Sequence, residues 1–188
     1  LSSDMFLLCC DGSAVEATAQ GYVPDLIIGD MDSLTDELKD SYKDKIIEIK
    51  DQNSNDLSKA LNWARDNEAK SVTLLGADGG GDDHYLGNLF LILENSYDFK
   101  LKIITNSGQF DLVNNKEFSS YPNQRVSIFC TNKEAKVSSS GLKYELKDYS
   151  FSNLYGATLN EATGKSFGVS CDDPNVSILV YRGNEETK

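Results

Sequence analysis

The chain has 188 residues, of which 39% are hydrophobic and 26% charged, a composition that excludes a low-complexity or coil-dominated protein. It contains no run of about 18 uninterrupted apolar residues, so no membrane partner is expected. The net charge of -12 argues against a nucleic-acid backbone as the main partner, because phosphate contacts need clustered Lys and Arg, and a polyanionic ligand would need a metal ion.

The acidic excess lies in the first part of the chain. Residues 1–112 hold 21 acidic and 9 basic residues, whereas residues 113–188 hold 9 of each. Two parts of different composition predict two structural units, and the acidic one is expected to bind cations. The four cysteines form no C-x-x-C pair and no secretory signal is recognisable, which favours reduced thiols and a cytoplasmic location. The first residue is Leu1 rather than Met, as expected for a sequence that begins further upstream.

Over about the first 110 residues, short apolar runs alternate with amphipathic stretches, a pattern that predicts a parallel sheet covered by helices. In chain order, the predicted elements are a strand at 5–10, a helix at 13–20, strands at 26–28 and 46–49 on either side of a helix at 34–42, a helix at 54–67, a strand at 72–75, a helix with Leu86, Leu89, Phe90 and Leu93 facing inward, and a strand at 101–105. Ser33 and Asp36 fit a capping signal for the helix at 34–42.

The later part of the chain has a different texture. Short segments rich in β-branched and aromatic residues occur at 125–131, 143–146, 166–171 and 176–181, separated by turn residues. This spacing predicts an antiparallel sandwich or a partly open barrel. We therefore expect an α/β domain over residues 1–110 that binds metal and nucleotide, followed by a β-rich domain over residues 111–188.

Acidic side chains follow the ends of the first four predicted strands, which is the edge where open α/β sheets bind ligands. They are Asp11, then Asp30 and Asp32, then Asp51 and Asp56, then Asp82 and Asp83. In an extended backbone, Asp30 and Asp32 would project to the same side and could share one hard cation. The alternative is that Asp30 is a turn residue and Asp32 an acidic residue at a helix N-terminus.

Two polar loops in this part of the chain could reach a phosphate. Residues 51–56 form a densely polar loop, although the helix dipole alone would favour Asp56. Gly79, Gly80 and Gly81 precede a helix and could approach an anion closely, but they form no Walker or Rossmann motif, and a flexible turn is the alternative. Four acidic loops would repel a phosphate unless divalent cations neutralise them. The pattern therefore predicts Mg2+, a nucleoside triphosphate and phosphoryl-type transfer.

Several strings, in this order and spacing, resemble the thiamin pyrophosphokinase family. They are PDLIIGDMDSL at 24–34, DQNSND at 51–56 with KAL at 59–61, GA-x-GG at 76–80, and DH-x-L-x-N at 83–88. GLKY-x-L at 141–146 and LNE at 159–161 are similar to later signatures of the family. The resemblance covers nearly the whole chain.

The resemblance implies an enzyme that transfers the pyrophosphoryl group of ATP to the hydroxyethyl oxygen of thiamine, giving thiamine diphosphate and AMP. It also implies a homodimer with active sites between the subunits. The implied fold is an N-terminal, three-layer α/β domain with a parallel sheet, followed by a C-terminal antiparallel β-sandwich that binds thiamine and forms the dimer.

The resemblance also implies roles for individual positions of this sequence. The Mg2+ ligands would be Asp30, Asp32, Asp56 and Asp83, and Asp56 or Asp83 would accept the hydroxyl proton. The ATP and thiamine site would be formed by Asp11, Gly12, Asp51, Gln52, Asn53, Lys59, Gly79, Gly80, Asn88 and Asn160, the last of these from the other subunit.

The sequence departs from the family at three of these places. Gly81 stands where the family usually has Arg, so the missing phosphate contact would have to come from Lys59 or a partner residue. Asn55 replaces a usual Thr, and Leu159 replaces a Ser that commonly precedes Asn160.

Two other functions remain open from the sequence. A haloacid dehalogenase-like phosphatase would use Asp30 as nucleophile and Asp32 as acid, with Asp82 and Asp83 as metal ligands. That scheme explains neither the 51–56 loop nor the β-rich second part. A non-catalytic protein that binds Mg2+ and a nucleotide is the other alternative, because of Gly81.

Overall fold

The computed structural model describes residues 5–51 and 53–185. The chain forms two compact units, Leu1–Ala69 and Lys70–Lys188, called here the first and the second unit. The predicted division into residues 1–110 and 111–188 stays a prediction. Among the described residues, no helix combines the length and the apolarity that a membrane crossing requires.

The first unit is built on a three-stranded parallel sheet. Its strands lie in the order β1, β2, β3 and are β1 (Leu8–Cys10), β2 (Leu26–Gly29) and β3 (Ile46–Glu48). Its helices are α1 (Asp11–Ala19), α2 (Asp36–Ser41) and α3 (Asp56–Asp66), with a 3-10 turn at Lys43–Lys45.

Helices cover both faces of this sheet. Ile27 and Ile28 of β2 are fully buried, and successive residues of a strand point to opposite faces. Ile27 packs with Ala14 of α1, whereas α3 contacts β1 and β2 and lies close to Cys10. Cys9 belongs to the same cluster as Ile27, so Cys10 faces the opposite side. The predicted three-layer arrangement with a parallel sheet is therefore confirmed in this unit.

The second unit contains a six-stranded sheet and a three-stranded sheet. The larger sheet has the order β10-β8-β12-β6-β5-β4, and only β4 and β5 pair in parallel. The smaller sheet has the order β7-β11-β9 and is antiparallel. The bounds are β4 (Ser71–Leu75), α4 (Asp82–Glu94), β5 (Lys100–Ile104), β6 (Gly108–Val113), β7 (Asn115–Ser119), β8 (Arg125–Phe129), β9 (Val137–Ser140), β10 (Asn160–Glu161), β11 (Ser166–Cys171) and β12 (Ile178–Gly183).

One apolar core joins the two sheets of the second unit. Val126 and Val180 come from the larger sheet, and Phe118 and Phe167 from the smaller one. The two phenylalanine rings stack with centroids 5.0 Å apart at 18°. Because both inner faces contribute to the same core, the predicted antiparallel β-sandwich is confirmed.

The sequence patterns missed part of this β structure. All five strands predicted in the first part of the chain are present, but β4 and β5 belong to the larger sheet of the second unit. The strand predicted at 143–146 is wrong, because that segment is a loop next to an isolated bridge between Leu142 and Ala162. The patterns did not indicate β6, β7, β9 and β10, in which polar residues such as Asp111 and Lys116 interrupt the apolar alternation.

Two helix predictions are wrong in detail. Helix α2 is capped by Thr35, whose Oγ1 accepts from the Leu38 amide at 3.4 Å, rather than by Ser33. In α4 the predicted inward residues Leu86 and Phe90 are 53% and 39% exposed, whereas Ile92 is fully buried. Most of α4 is apolar around its circumference, so its periodicity did not define the buried face.

Candidate functional site

Three carboxylates meet where β1 and β2 end. Asp11, Asp30 and Asp32 each offer one oxygen, and these atoms lie within 4.8 Å of one another. Asp11 is buried, Asp30 half-buried and Asp32 exposed, so the cluster runs from the protein interior to solvent. The sequence predicted Asp30 and Asp32 as a metal pair, and the structure adds Asp11, which had been predicted only as a binding residue.

A turn, rather than an extended backbone, brings Asp30 and Asp32 together. Met31 lies between them in the left-handed region, with φ of 67°, and its side chain is buried in the core of the first unit. The Asp32 amide donates to Asp30 Oδ1 at 3.3 Å, and the Ser33 hydroxyl donates to Asp32 Oδ1 at 3.0 Å. A buried apolar residue therefore anchors a turn that carries an acid on each side.

Asp11 is the buried member of this cluster. Its side chain lies at the start of α1, and its Oδ1 accepts from the Gly12 amide at 2.6 Å. Its buried Oδ2 accepts no hydrogen bond from the described residues. Burial raises the pKa of Asp11, and the charges of Asp56 and Asp30 add to the increase, while the nearby amides of Gly12 and Ser33 oppose it. A buried carboxylate oxygen with no donor needs a cation or a proton.

Gly29, the last residue of β2, makes room for this carboxyl group. A Cβ atom at position 29 would lie 3.0 Å from Asp11 Cγ and 3.1 Å from Asp11 Cβ. Both contacts are tighter than most Cβ contacts, so a side chain at position 29 would require Asp11 to shift.

The chemistry of these residues fits Mg2+. The ion prefers oxygen ligands and usually binds one or two carboxylates while keeping several waters. Asp11 offers the unpaired buried oxygen, and the exposure of Asp32 leaves one side open to water and phosphate.

Asp56 and Lys59 form a second charged group in the first unit. Asp56 begins α3, and the Lys59 ammonium donates to Asp56 Oδ1 at 2.9 Å. Burial raises the pKa of both Asp11 and Cys10, and the charge of Asp56 adds to both increases, so Asp56 lies close to the end of β1. The roles predicted for Asp56 as metal ligand or base, and for Lys59 as phosphate contact, stay predictions.

The polar loop before α3 is organised by its own side chains. Asp51 accepts from the Asn53 amide, from Asn53 Nδ2 and from the Ser54 hydroxyl, at 3.0, 3.0 and 2.7 Å. These donors, led by Ser54, hold the pKa of Asp51 below its usual range. Asn55 Oδ1 caps α3 by accepting from the Ser58 amide at 2.8 Å. Gln52 lies outside the described residues, and the predicted contacts of Asp51 and Asn53 with substrate stay predictions.

The glycine loop and Asp83 belong to the second unit. The Gly79 amide donates to the Gly76 carbonyl at 3.0 Å, Gly80 has a φ of 89°, and Gly81 caps α4. Asn88 is buried on α4 and donates from Nδ2 to the Ala77 carbonyl at 3.3 Å, which ties the loop to the helix.

Position 81 has little free space beyond Cα. A Cβ atom there would lie 2.5 Å from Asp83 Oδ1, so a larger residue would require this carboxylate to rotate. The roles predicted for Gly79, Gly80, Asp83 and Asn88 in binding or catalysis stay predictions.

Asn160 has its polar groups engaged within the second unit. Its Oδ1 accepts from the amides of Tyr144 and Glu161 at 3.1 and 2.9 Å, and its Nδ2 donates to the Tyr144 carbonyl at 2.7 Å. The buried amide therefore fixes the loop after Gly141 against β10. Its predicted approach to thiamine stays a prediction.

An aromatic pocket in the second unit was not predicted. It is an open depression of about 260 Å³, lined mainly by residues of the larger sheet. Phe110 and Tyr181 pack with centroids 4.8 Å apart, and Arg125 lies 5.8 Å from the Tyr181 ring. The lining residues are Tyr85, Ser107, Phe110, Arg125, Ser127, Phe129, Leu159 and Tyr181. They come from α4, from strands β6, β8 and β12 and from two loops. The sequence could have indicated only the alternation along β8 and the aromatic residue on β12.

Comparison with protein families gives two adjoining matches. Residues 1–105 match the family model "Thiamin pyrophosphokinase, catalytic domain", and residues 108–181 match "Thiamin pyrophosphokinase, substrate-binding domain". Thiamin pyrophosphokinase 1 of Caenorhabditis elegans is 29% identical over 159 residues, which are 74% of this chain and 63% of the worm protein. Thiamine pyrophosphokinase 1 of Oryza sativa subsp. japonica is 38% identical over 78 residues, 36% of this chain and 30% of the rice protein. The chain therefore matches less than two thirds of either relative.

Solved structures share the fold at lower identity. A thiamine pyrophosphokinase from Bacillus subtilis has a TM-score of 0.81 and 18% identity, over 98% of this chain and 90% of the bacterial one. Thiamin pyrophosphokinase from Candida albicans has a TM-score of 0.76 and 19% identity, over 96% and 82% of the two chains.

Proposed function

Because the chain belongs to the thiamin pyrophosphokinase family, we propose that it transfers the pyrophosphoryl group of ATP to the hydroxyethyl oxygen of thiamine. The products are thiamine diphosphate and AMP. The observation that carries this proposal is the group of Asp11, Asp30 and Asp32, in which a buried carboxylate oxygen has no donor among the described residues. Such a group suits a divalent cation that accompanies a triphosphate.

The proposed cofactor is Mg2+, with Asp30 and Asp32 as ligands and Asp56 and Asp83 as the further ligands that the family resemblance implies. Asp11 joins this set because of its unpaired oxygen. When bound, the ion would neutralise phosphate charge and polarise the phosphorus that is attacked.

The chain's own residues position the reactants and accept a proton. The thiamine hydroxyl attacks the β-phosphorus in line while AMP leaves, and Asp56 or Asp83 accepts the hydroxyl proton. Lys59 bonds to Oδ1 of Asp56, which holds this candidate base in a defined position. Positioning and charge stabilisation account for most of the rate in such transfers.

The aromatic pocket supports binding of an organic ring by the second unit. Six of its eight lining residues lie within the segment that matches the substrate-binding domain. Aromatic walls favour flat heterocycles through stacking. The proposal also includes a cytoplasmic homodimer with active sites between the subunits. It further includes contacts to ATP or thiamine from the remaining predicted residues other than Lys59.

The proposal is tested by incubating the protein with ATP, Mg2+ and thiamine and identifying the products by chromatography. AMP should form only when thiamine and Mg2+ are both present. Asp30→Asn should lower turnover by about 100-fold or more while circular dichroism stays that of the parent. Thiamine-independent release of ADP or phosphate would reject the proposal, and binding of ATP without turnover would indicate a non-catalytic protein.

A further inference from the structure

Lys59 has an unusual environment for a lysine. Its side chain is only 4% exposed, although lysine is almost never fully buried unless it is paired. It also lies near the N-terminus of α3, where the helix dipole disfavours a positive charge. Neither burial nor helix position stabilises this ammonium, so the neighbouring carboxylates must do so.

The groups around Lys59 come from three parts of the first unit. Its Nζ donates to Asp56 Oδ1 at 2.9 Å. The hydrogen bond to Asp56, opposed by burial, raises the pKa of Lys59, and the charges of Asp56, Asp30 and Asp51 add to the increase. Burial raises the pKa of Cys10, at the end of β1, to about 12, and the Lys59 charge opposes that rise. The ammonium is therefore bonded to Asp56 and lies within electrostatic range of Asp30, one of the three carboxylates of the candidate cation site.

We propose that Lys59 is a positioning residue: a resident cation that holds Asp56 and offsets the repulsion among Asp11, Asp30 and Asp56. This inference rests on the proposed function. Lys59 then acts on the reaction through Asp56, rather than by binding a phosphate. The hydrogen bond that it already makes to Asp56 is the geometric reason.

If Lys59 has this role, its replacement should strengthen metal binding and weaken turnover. A resident positive charge competes with a divalent cation, so Lys59→Met should bind Mn2+ about tenfold more tightly than the parent. Turnover with ATP, Mg2+ and thiamine should fall about 100-fold, because Asp56 is no longer held, while KM for ATP stays within about threefold. A merely structural lysine would weaken both properties together.

The measurement is a titration of nucleotide-free protein with Mn2+ alone. The electron paramagnetic resonance signal of the free ion reports how much Mn2+ is unbound. Lys50→Met is the matched control, because Lys50 has a side chain that is 80% exposed and pairs with Glu48 on the surface. Removing the Lys50 charge should change Mn2+ affinity by less than about twofold, since solvent and salt screen exposed charges.

A second variant keeps the test decisive if Lys59→Met does not fold. Lys59→Gln retains a donor for Asp56 but removes the charge, and it should also tighten Mn2+ binding. Unchanged or weaker Mn2+ binding by a folded Lys59→Gln protein would overturn the inference. A KM for ATP raised about tenfold with unchanged Mn2+ affinity would also overturn it, in favour of a direct phosphate contact. Because the titration needs no turnover, it decides the role of Lys59 even if thiamine-dependent AMP formation fails.

Discussion

Asp11 shows how single residues define this site. Its position after β1 was visible in the sequence, but its unpaired oxygen and its closeness to Asp30 were not. Two residues without charge create the arrangement: Met31 anchors the turn through its buried side chain, and Gly29 leaves room for the Asp11 carboxyl group. Sequence patterns identify acids readily, whereas they do not show which apolar residue or glycine places them.

Gly29→Ala tests this arrangement without removing any ligand. The added Cβ would meet Asp11 Cγ at 3.0 Å and displace the carboxylate. Since Mg2+ and similar ions demand a well-defined ligand geometry, Mn2+ affinity should fall about tenfold. The measurement is again the titration with the metal alone.

Gly164→Ala is the matched control for Gly29→Ala, because no atom lies within 4 Å of a Cβ at that position. It should leave Mn2+ affinity unchanged. Parental Mn2+ affinity in a folded Gly29→Ala protein would show that Asp11 does not contribute to the cation site.

At the scale of the elements, a buried ion pair connects strands of both sheets of the second unit. Asp111 of β6 accepts from Arg182 of β12 at 2.8 Å and from Lys116 of β7 at 3.0 Å. The Asp111 and Arg182 side chains are 5% and 15% exposed. Burial alone would raise the pKa of Asp111, but the hydrogen bonds from Arg182 and Lys116 hold it below its usual range.

Asp111→Asn should lower the free energy of unfolding by about 3 kcal/mol at pH 7, because it leaves a largely buried arginine without its charge partner. A lowered pKa adds stability above the ordinary range of an aspartate, and that stability is lost as the pH falls through the lowered value. The difference between parent and variant should therefore shrink below about pH 4. The free energy of unfolding of parent and variant is measured at pH 7 and below about pH 4 by urea unfolding, monitored by circular dichroism.

Glu161→Gln provides the comparison for this variant, since Glu161 pairs with Lys143 and both side chains are well exposed. Its loss should cost less than about 1 kcal/mol. If Asp111→Asn costs no more than Glu161→Gln at pH 7, the ion pair does not stabilise the second unit.

The elements also show which parts of the fold the sequence could predict. Apolar runs such as those of β2 and β12 were visible because all but one residue of each strand is buried. Strand β6 was not visible, since its buried Asp111 belongs to an ion pair formed across strands. The prediction of the inward face of α4 was wrong because apolar residues surround most of the helix. Long-range pairing therefore decided the elements that periodicity missed.

At the scale of the whole molecule, the net charge of -12 and the proposed reaction belong together. The acidic excess lies in the part of the chain that holds Asp11, Asp30, Asp32 and Asp56. A nucleotide can approach these carboxylates only with divalent cations. The order and spacing of several motifs predicted the family that two adjoining family models then supported. The aromatic pocket could not be predicted in this way, because its residues are brought together by the fold.

The most direct test of the central claim follows the phosphorus atoms of ATP. ATP labelled at the α-phosphate or at the γ-phosphate is incubated with the protein, Mg2+ and thiamine, and the labelled products are separated. Transfer of an intact pyrophosphoryl group predicts γ-label in thiamine diphosphate and α-label in AMP. Recovery of γ-label as inorganic phosphate or as thiamine monophosphate, with α-label in ADP, would contradict the account.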